Sequence, residues 1–132
     1  MTKFLEILQI LLPQGADMTV DPDVSRIISS FHAAGKPLAL CCIAPILAAK
    51  VLGSNGPTLT LGNCGSEEDW PYQGAIEAAK SFGANMQLKG VEEVCVDEQN
   101  KIVTTPAFMY NGKFHEIQDG VGSMITELMK LV

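Results

Sequence analysis

Cys42 is the residue whose type and position are best suited to chemistry. It lies within LALCCIAPILAAKVL (residues 38–52), where an apolar run, a small residue and a proline lead directly into helix-forming residues. At such a strand-to-helix turn a side chain stands above the carboxyl edge of a sheet, and backbone N–H groups at the helix start stabilise a thiolate or an oxyanion. The spacing predicts a cysteine nucleophile at an elbow, and the alternative is a buried cysteine that packs as a small hydrophobe.

A catalytic cysteine also requires an acid or base nearby. The two histidines are His32 and His115. We interpret His32 as a surface or boundary residue of a helix and His115 as a solvated residue at the start of the last helix. The glycine-rich runs at 62–65 and 120–122 lack the full phosphate-binding patterns and are more typical of turns and helix packing.

Metal and cofactor chemistry is not indicated. The four cysteines, Cys41, Cys42, Cys64 and Cys95, fit neither a zinc spacing nor a C-x-x-C redox pair. Neighbouring cysteines on a strand point to opposite sides, so Cys41 and Cys42 are poorly placed to hold one ion. Free thiols suit a reducing compartment. We expect neither a metal nor a cofactor.

Composition and charge narrow the function classes. The net charge of -6 disfavours binding to nucleic acid, and a hydrophobic content of 47% predicts a packed globular domain. No stretch reaches the roughly 18 apolar residues of a membrane span, so we expect no membrane insertion. The segment Met1–Leu12 is apolar but fits neither a secretory signal nor a transit peptide, and we interpret it as a short buried helix or strand.

The order of predicted elements indicates an α/β domain. Asp21 and Pro22 begin a helix whose apolar residues recur with helical spacing, and Gly35 is placed to end it. The apolar run within residues 36–45 predicts a buried parallel strand. Further strands are expected at 58–61, 94–96 and 102–104, the last two as a hairpin, with helices at 46–52, 70–82 and 114–131. This alternation predicts a mainly parallel sheet between helices.

Five longer runs carry a family resemblance: GADMTVDPDV, FHAAGKPLALCCIAPILAAKVL, WPYQGAIEAAKSFGA, NKIVTTPAFM and IQDGVGSMI. They resemble the glutamine amidotransferase-like class 1 domain-containing protein 3 family, whose bacterial relatives are called enhancing lycopene biosynthesis proteins, within the superfamily of the Parkinsonism-associated deglycase and the PfpI protease. The resemblance covers residues 15–132 as the C-terminal part of such a domain, and residues 1–14 form a divergent apolar segment. It implies a flavodoxin-like, three-layer fold that is truncated at its N-terminus.

The resemblance also assigns roles to individual residues. Cys42 falls at the elbow position of the superfamily, Cys41 is the last strand residue, and the backbone N–H of Ile43 would help to hold an oxyanion. Thr105 and Pro106, followed by an alanine, would lie in a loop near that site. The superfamily acts on reactive carbonyls such as methylglyoxal adducts by glyoxalase or deglycase chemistry, in which a thiolate adds to an aldehyde.

Two departures from the family pattern leave other functions open. The usual first half, with an acid and a glycine-rich loop that complete the site, is replaced by residues 1–14, and Asn63 stands where many members have a histidine. An amide cannot act as a base near neutral pH. The alternatives are a catalytically impaired short form that acts as a homodimer or pairs with a full-length relative, and a thiol that senses oxidants. Family resemblance implies a mitochondrial location, with the cytoplasm as the alternative.

Overall fold

The computed structural model describes residues 17–132, and the predicted element within Met1–Leu12 lies outside the described residues. Within these residues, the strands of a three-stranded sheet and a two-stranded sheet alternate with four α-helices. In chain order the elements are α1 (Pro22–Ala33), β1 (Leu38–Cys41), α2 (Pro45–Leu52), β2 (Thr58–Leu59), α3 (Gly74–Ser81), β3 (Asn85–Met86), β4 (Cys95–Asp97), β5 (Ile102–Thr105) and α4 (Phe114–Lys130), with 3₁₀ turns at Gly53–Asn55 and Ala107–Met109.

The strand pairing is mainly parallel, as the sequence predicts. β1 runs parallel to β5, from Leu38 opposite Ile102 to Cys41 opposite Thr105. β4 pairs with the other edge of β5 in the antiparallel hairpin that the sequence indicates, and β2 pairs in parallel with β3. Among residues 17–132, β1 therefore has a strand partner on one edge only.

Helices cover both faces of the sheet. α1, α2 and α3 pack on one face, where the largest core cluster includes Ile28, Ile46 and Ile76. α4 packs against β5 and β1 on the opposite face. There Gly120 permits close approach, because a Cβ at this position would stand 2.1 Å from the carbonyl oxygen of Val91. This is the three-layer α/β arrangement expected for the fold.

The helix α1 begins where the sequence predicts it. The side chain of Asp21 accepts hydrogen bonds from the backbone N–H groups of Asp23 and Val24, so it caps the helix as predicted. The predicted helix at 70–82 is shorter in the structure, because the chain between Trp70 and Gln73 forms turns before α3 begins. The two-residue strand β3 was not predicted from the sequence.

The apolar stripes of α1 and α4 are less buried than their spacing suggests. On α1 only Ile28 is buried, whereas Val24, Ile27 and Phe31 are exposed. On α4 the side chain of Ile117 is buried but Ile125 is 47% exposed. Helical periodicity correctly located the apolar faces, but part of each face is exposed among the described residues.

A hydrogen-bonded network ties the layers together at the amino end of β1 and β5. Asp97 is 7% exposed and accepts hydrogen bonds from the backbone N–H of Thr58 at 2.8 Å and from both the backbone and side chain of Asn100. The Asn100 side-chain oxygen lies 2.9 Å from His32 Nε2 on α1. His32 is thus a boundary residue with a structural partner, which agrees with its interpretation from sequence.

Within residues 17–132, no helix is both long enough and apolar enough to cross a membrane.

Candidate functional site

Cys42 lies in a tight turn between β1 and α2. Its backbone adopts a left-handed conformation, with φ of 61°, which costs a non-glycine residue on the order of 1 kcal/mol or more. The N–H of Ala44 closes the turn by donating to the carbonyl oxygen of Cys41 at 3.1 Å, and Pro45 then begins α2. The strand β1 thus ends one residue before Cys42, and α2 begins three residues after it.

The loop after β5 lies directly beside this turn. The backbone N–H of Cys42 donates to the carbonyl oxygen of Thr105 at 3.1 Å, which extends the pairing of β1 with β5. After Pro106 comes Ala107, a second residue with a left-handed backbone, with φ of 47° and a buried side chain. Two strained residues thus lie at the carboxyl ends of two adjacent parallel strands, and strain of this kind clusters at functional sites.

The side chain of Thr105 fixes the start of the loop that follows β5. Its hydroxyl donates to the carbonyl oxygen of Glu93 at 2.8 Å, and the residue is fully buried. The loop before β4 and the loop after β5 are therefore linked through one side chain, which holds the 106–108 segment against the Cys42 turn.

The electrostatics of the site keep the Cys42 thiol protonated. Burial raises the pKa of Cys42 from its ordinary value of 9.0 to about 11, against backbone hydrogen bonds from Ile43 and Phe108 that lower it, while the neighbouring Cys41 raises it slightly. Among residues 17–132, no histidine or carboxylate is part of these influences. The stabilised thiolate that we expected at the helix start is therefore not what the described residues produce, because the loss of water outweighs two backbone N–H groups.

Cys41 and Cys42 face different environments. Cys41 ends β1 in register with Thr105, and burial raises the pKa of its thiol as well. Strand alternation points its side chain toward the α4 face, whereas Cys42 packs against the cluster beneath α2. Both residues are free thiols, as the sequence suggested.

Asn63 belongs to a loop that docks on Tyr110 and Asn111. Its side-chain oxygen accepts a hydrogen bond from the N–H of Cys64 at 2.8 Å. The loop is held by Trp70, which packs under Gly62 and contacts Tyr110 with ring centroids 4.8 Å apart. Asn63 is thus hydrogen-bonded within its own loop, and its predicted role near the thiol stays a prediction.

Of the predicted site residues, the structure brings Cys42, Ile43, Thr105 and Pro106 together around one turn. Sequence reasoning missed Phe108, whose backbone lowers the pKa of Cys42 and whose side chain is 54% exposed. Nothing in the local sequence TTPAFM marks this residue. Only the parallel pairing of β1 with β5, which joins distant parts of the chain, places it beside the thiol.

Metal binding has no support in the described part of the chain. Between residues 17 and 132, no group of three or more histidine, cysteine, aspartate or glutamate side chains is placed to hold an ion.

Comparison with known proteins gives the site its context. The ES1 protein homolog of Rattus norvegicus, named as mitochondrial, is 48% identical over 118 residues, which is 89% of this chain and 44% of the rat protein. Glutamine amidotransferase-like class 1 domain-containing protein 3 of Homo sapiens, also named as mitochondrial, is 48% identical over 89% of this chain. This chain is a relative of the glutamine amidotransferase-like class 1 domain-containing protein 3 family. No family model matches the chain.

The relationship extends to more distant members and to the fold. The mitochondrial ES1 protein of Danio rerio is 36% identical over 89% of this chain. An isoprenoid biosynthesis protein with an amidotransferase-like domain from Ehrlichia chaffeensis superposes with a TM-score of 0.71 at 19% identity, covering 86% of this chain and 48% of its own. This confirms the amidotransferase-like α/β fold. The chain spans less than half the length of the curated relatives that it matches.

Proposed function

We propose that this chain is an amidotransferase-like domain in which Cys42 is a nucleophile toward small reactive carbonyls. The observation that carries the proposal is the left-handed backbone of Cys42 at the carboxyl end of β1, immediately before α2. A strained, partly buried cysteine at this position has little structural purpose, because glycine would fit the turn without strain. Methylglyoxal and its adducts are the substrate class that the family resemblance suggests.

The chemistry requires the thiol to lose its proton first. The Cys42 sulfur then donates an electron pair to the aldehyde carbon, and the carbonyl π electrons move to the oxygen. That oxygen takes up the proton to give a hemithioacetal, so the addition is neutral overall. Backbone hydrogen bonds from Ile43 and Phe108 lower the pKa of Cys42, and we propose the same N–H groups as donors to the developing oxyanion.

A pKa near 11 sets a limit on how fast this chain can react. At pH 7 only about one Cys42 in 10,000 is ionised, because each pH unit below the pKa lowers the thiolate fraction tenfold. We therefore expect slow turnover that rises tenfold per pH unit between pH 6 and 9. A full-length relative with an acid at the site would follow a flatter profile.

The test is methylglyoxal consumption by the 132-residue chain and two cysteine variants. Cys42→Ser should abolish turnover, while Cys64→Ser should leave it unchanged, because Cys64 is exposed on the neighbouring loop. Equal activity in the two variants, together with an unchanged circular dichroism spectrum, would refute the nucleophile assignment.

The mitochondrion is the location that we propose for this chain, since three relatives carry that location in their names. Fractionation of cells expressing the tagged chain tests this directly. Recovery in the cytosol alone would contradict the proposal.

A role in association is the second candidate, as a homodimer or in a pair with another family polypeptide. Its support is the combination of a neutral Cys42 thiol with exposed apolar residues on α1 and α4. The neutral thiol also disfavours oxidant sensing, which depends on a thiolate. Light scattering across a wide concentration range tests the association role, and a strictly monomeric chain that binds no family polypeptide would contradict it.

A further inference from the structure

The 3₁₀ turn that follows β5 carries one exposed aromatic side chain. Ala107 and Met109 are each 1% exposed, whereas Phe108 between them is 54% exposed. Because a 3₁₀ turn has about three residues per revolution, its successive side chains leave the backbone in three different directions. At this turn two of the directions lead into the protein interior and the third leads to solvent.

Neighbouring residues hold the backbone of this turn in place. The N–H of Met109 donates to the carbonyl oxygen of Pro106 at 3.1 Å, and both residues are buried. The hydroxyl of Thr105 fixes the start of the turn by donating to the carbonyl oxygen of Glu93 at 2.8 Å. The position of the Phe108 backbone is therefore set by its neighbours, and its own ring is left more than half exposed.

The same turn lies beside the thiol of Cys42. The backbone N–H of Cys42 donates to the carbonyl oxygen of Thr105 at 3.1 Å, three residues before Phe108. Phe108 in turn supplies a backbone hydrogen bond to the Cys42 thiol. One amide group therefore links the candidate nucleophile to a residue whose phenyl ring is exposed.

A carbonyl compound bonded to the sulfur would extend about as far as this ring. In a 2-oxoaldehyde the aldehyde carbon bonds to sulfur, and the substituent follows after the ketone carbon, so two carbon atoms separate the substituent from the sulfur. Two carbon atoms, Cα and Cβ, also separate the ring of Phe108 from its amide nitrogen. Because that nitrogen is hydrogen-bonded to the sulfur, the ring is within reach of a substituent on the solvent side of the turn.

The chemistry of the ring indicates which substituents it would favour. An exposed phenyl ring gains free energy when an apolar group covers it and releases water. An aromatic group gains more, because it stacks offset or edge-to-face with ring centroids roughly 4.5–7 Å apart. An anionic substituent is disfavoured by the negative face of the ring and by the net charge of -6.

We propose that Phe108 is a specificity-determining residue of the Cys42 site and selects 2-oxoaldehydes that carry an apolar, above all an aromatic, substituent. This inference rests on the proposed function and names its substrate class. The addition itself is unchanged: the sulfur bonds to the aldehyde carbon and the carbonyl oxygen takes up the thiol proton. The ring of Phe108 contacts only the substituent and forms no bond.

The first test compares the turnover of phenylglyoxal and methylglyoxal, which differ only in the substituent. Phe108→Ala should lower kcat/KM for phenylglyoxal at least about tenfold, the lower end of what apolar pocket contacts contribute to specificity. It should change kcat/KM for methylglyoxal less than about twofold, and Phe108→Tyr should keep the preference of the unchanged chain. Equal losses for the two substrates would show a structural role and overturn the proposal.

Phe31→Ala is the matched control. Phe31 is 41% exposed, and its ring centroid lies 5.4 Å from Nζ of Lys36, which precedes β1 at the end of the strand opposite the thiol. This variant should keep the preference for phenylglyoxal. A loss as large as that of Phe108→Ala would show that the preference does not arise from a ring beside the thiol, and would overturn the proposal.

The second test does not depend on turnover. Cys42 and Cys64 are alkylated at pH 9 with iodoacetamide or with N-benzyl-iodoacetamide, and the rates are read by mass spectrometry on the folded chain. Cys64 is exposed and serves as the internal reference. The benzyl reagent should be favoured at Cys42 by at least about fivefold relative to Cys64, and Phe108→Ala should remove this preference.

The two tests together separate this proposal from the proposed function. Absence of turnover with the benzyl preference intact would refute the proposed activity but support the selection of aromatic groups by Phe108. Turnover that depends on Cys42 without either preference would overturn the role of Phe108 alone. A Cys42 thiol that resists both alkylating reagents would refute both.

Discussion

The backbone N–H of Cys42 donates to the carbonyl oxygen of Thr105 at 3.1 Å, and this bond joins the ends of β1 and β5. It fixes the distance between two loops that leave the same edge of the sheet. Because the loop after Thr105 continues through the strained Ala107 to Phe108, the conformation of one loop sets the hydrogen bonding of the thiol in the other.

The first prediction concerns the left-handed backbone at Ala107. Ala107→Val should lower the free energy of unfolding by about 2–4 kcal/mol, because a β-branched side chain resists positive φ and overfills a buried position. Ala107→Gly should change it by less than about 1 kcal/mol, since relief of strain offsets the greater freedom of glycine when unfolded. Urea denaturation of the two variants measures both values, and equal losses would show that the conformation is not important for stability.

The second prediction is a decline in stability at alkaline pH. The pKa of Cys42 in the folded chain, about 11, lies above its ordinary value of 9.0, so the unfolded chain loses the thiol proton first as pH rises. Stability contributed by the buried neutral thiol is therefore complete below pH 9 and is lost between about pH 9 and 11. Urea midpoints at pH 7, 9 and 10.5 should fall less steeply in Cys42→Ser.

A residual decline should persist in that variant. Burial also raises the pKa values of Cys41 and Cys95, so their thiols add to the alkaline loss of stability. If the urea midpoints of Cys42→Ser and of the unchanged chain fall equally with pH, the thiol of Cys42 is solvated.

The third prediction concerns Asp97. Burial by itself would raise the pKa of Asp97, but the hydrogen bonds from Asn100, Thr58 and Gln99 together lower it below its usual value. The ionised carboxylate therefore stabilises the fold above about pH 4, and this contribution is lost as pH falls through the folded pKa. Asp97→Asn should cost about 2 kcal/mol at pH 7, because hydrogen bonds to a charged group are stronger than those to an amide.

Measurements of stability below pH 5 test whether the Asp97 charge stabilises the fold. The difference in urea midpoint between Asp97→Asn and the unchanged chain should shrink between pH 5 and pH 2.5. Glu98→Gln, an exposed neighbour, is the control and should show no such convergence. A constant difference across this range would mean that the carboxylate charge is not what stabilises the turn.

The fourth prediction tests the packing of two glycines. A Cβ on Gly53 would stand 1.8 Å from the carbonyl oxygen of Phe82, so Gly53→Ala must push α2 away from the end of α3. We expect a loss of more than about 2 kcal/mol, comparable to overpacking of a core. Gly74→Ala is the matched control, because a Cβ there meets nothing within 4 Å. It should be neutral or stabilise the first turn of α3 by up to about 1 kcal/mol, as thermal unfolding would show.

Elements with local chemical signals could be predicted from the sequence. Asp21 and Pro22 mark the start of α1, and the apolar run before Cys42 marks β1, because capping and strand hydrophobicity act over a few residues. The long resemblance then supplied the fold class, which the comparisons confirm.

Features that depend on distant partners could not be predicted. The role of Phe108 beside the thiol depends on the register of β5 against β1, which no local pattern encodes. The exposure of Ile27 and Ile125 depends on which surfaces are covered by neighbours, whereas helical spacing reports only which residues are apolar. The roles of Cys42, Ile43, Asn63, Thr105 and Pro106 remain predictions until the variants are assayed.

The Asp97 network lies at the amino end of β1 and β5, while Cys42 and Ala107 lie at the carboxyl end. The Asp97 network, which joins the β4–β5 hairpin to α1 and β2, is therefore separated from the thiol by the length of a strand. Substitutions at the two ends share no contacts and should combine additively. A protein engineer could accordingly change the loops around the thiol for new reactivity. Strengthening the Asp97 network at the other end of the strands could offset the resulting loss in the free energy of unfolding.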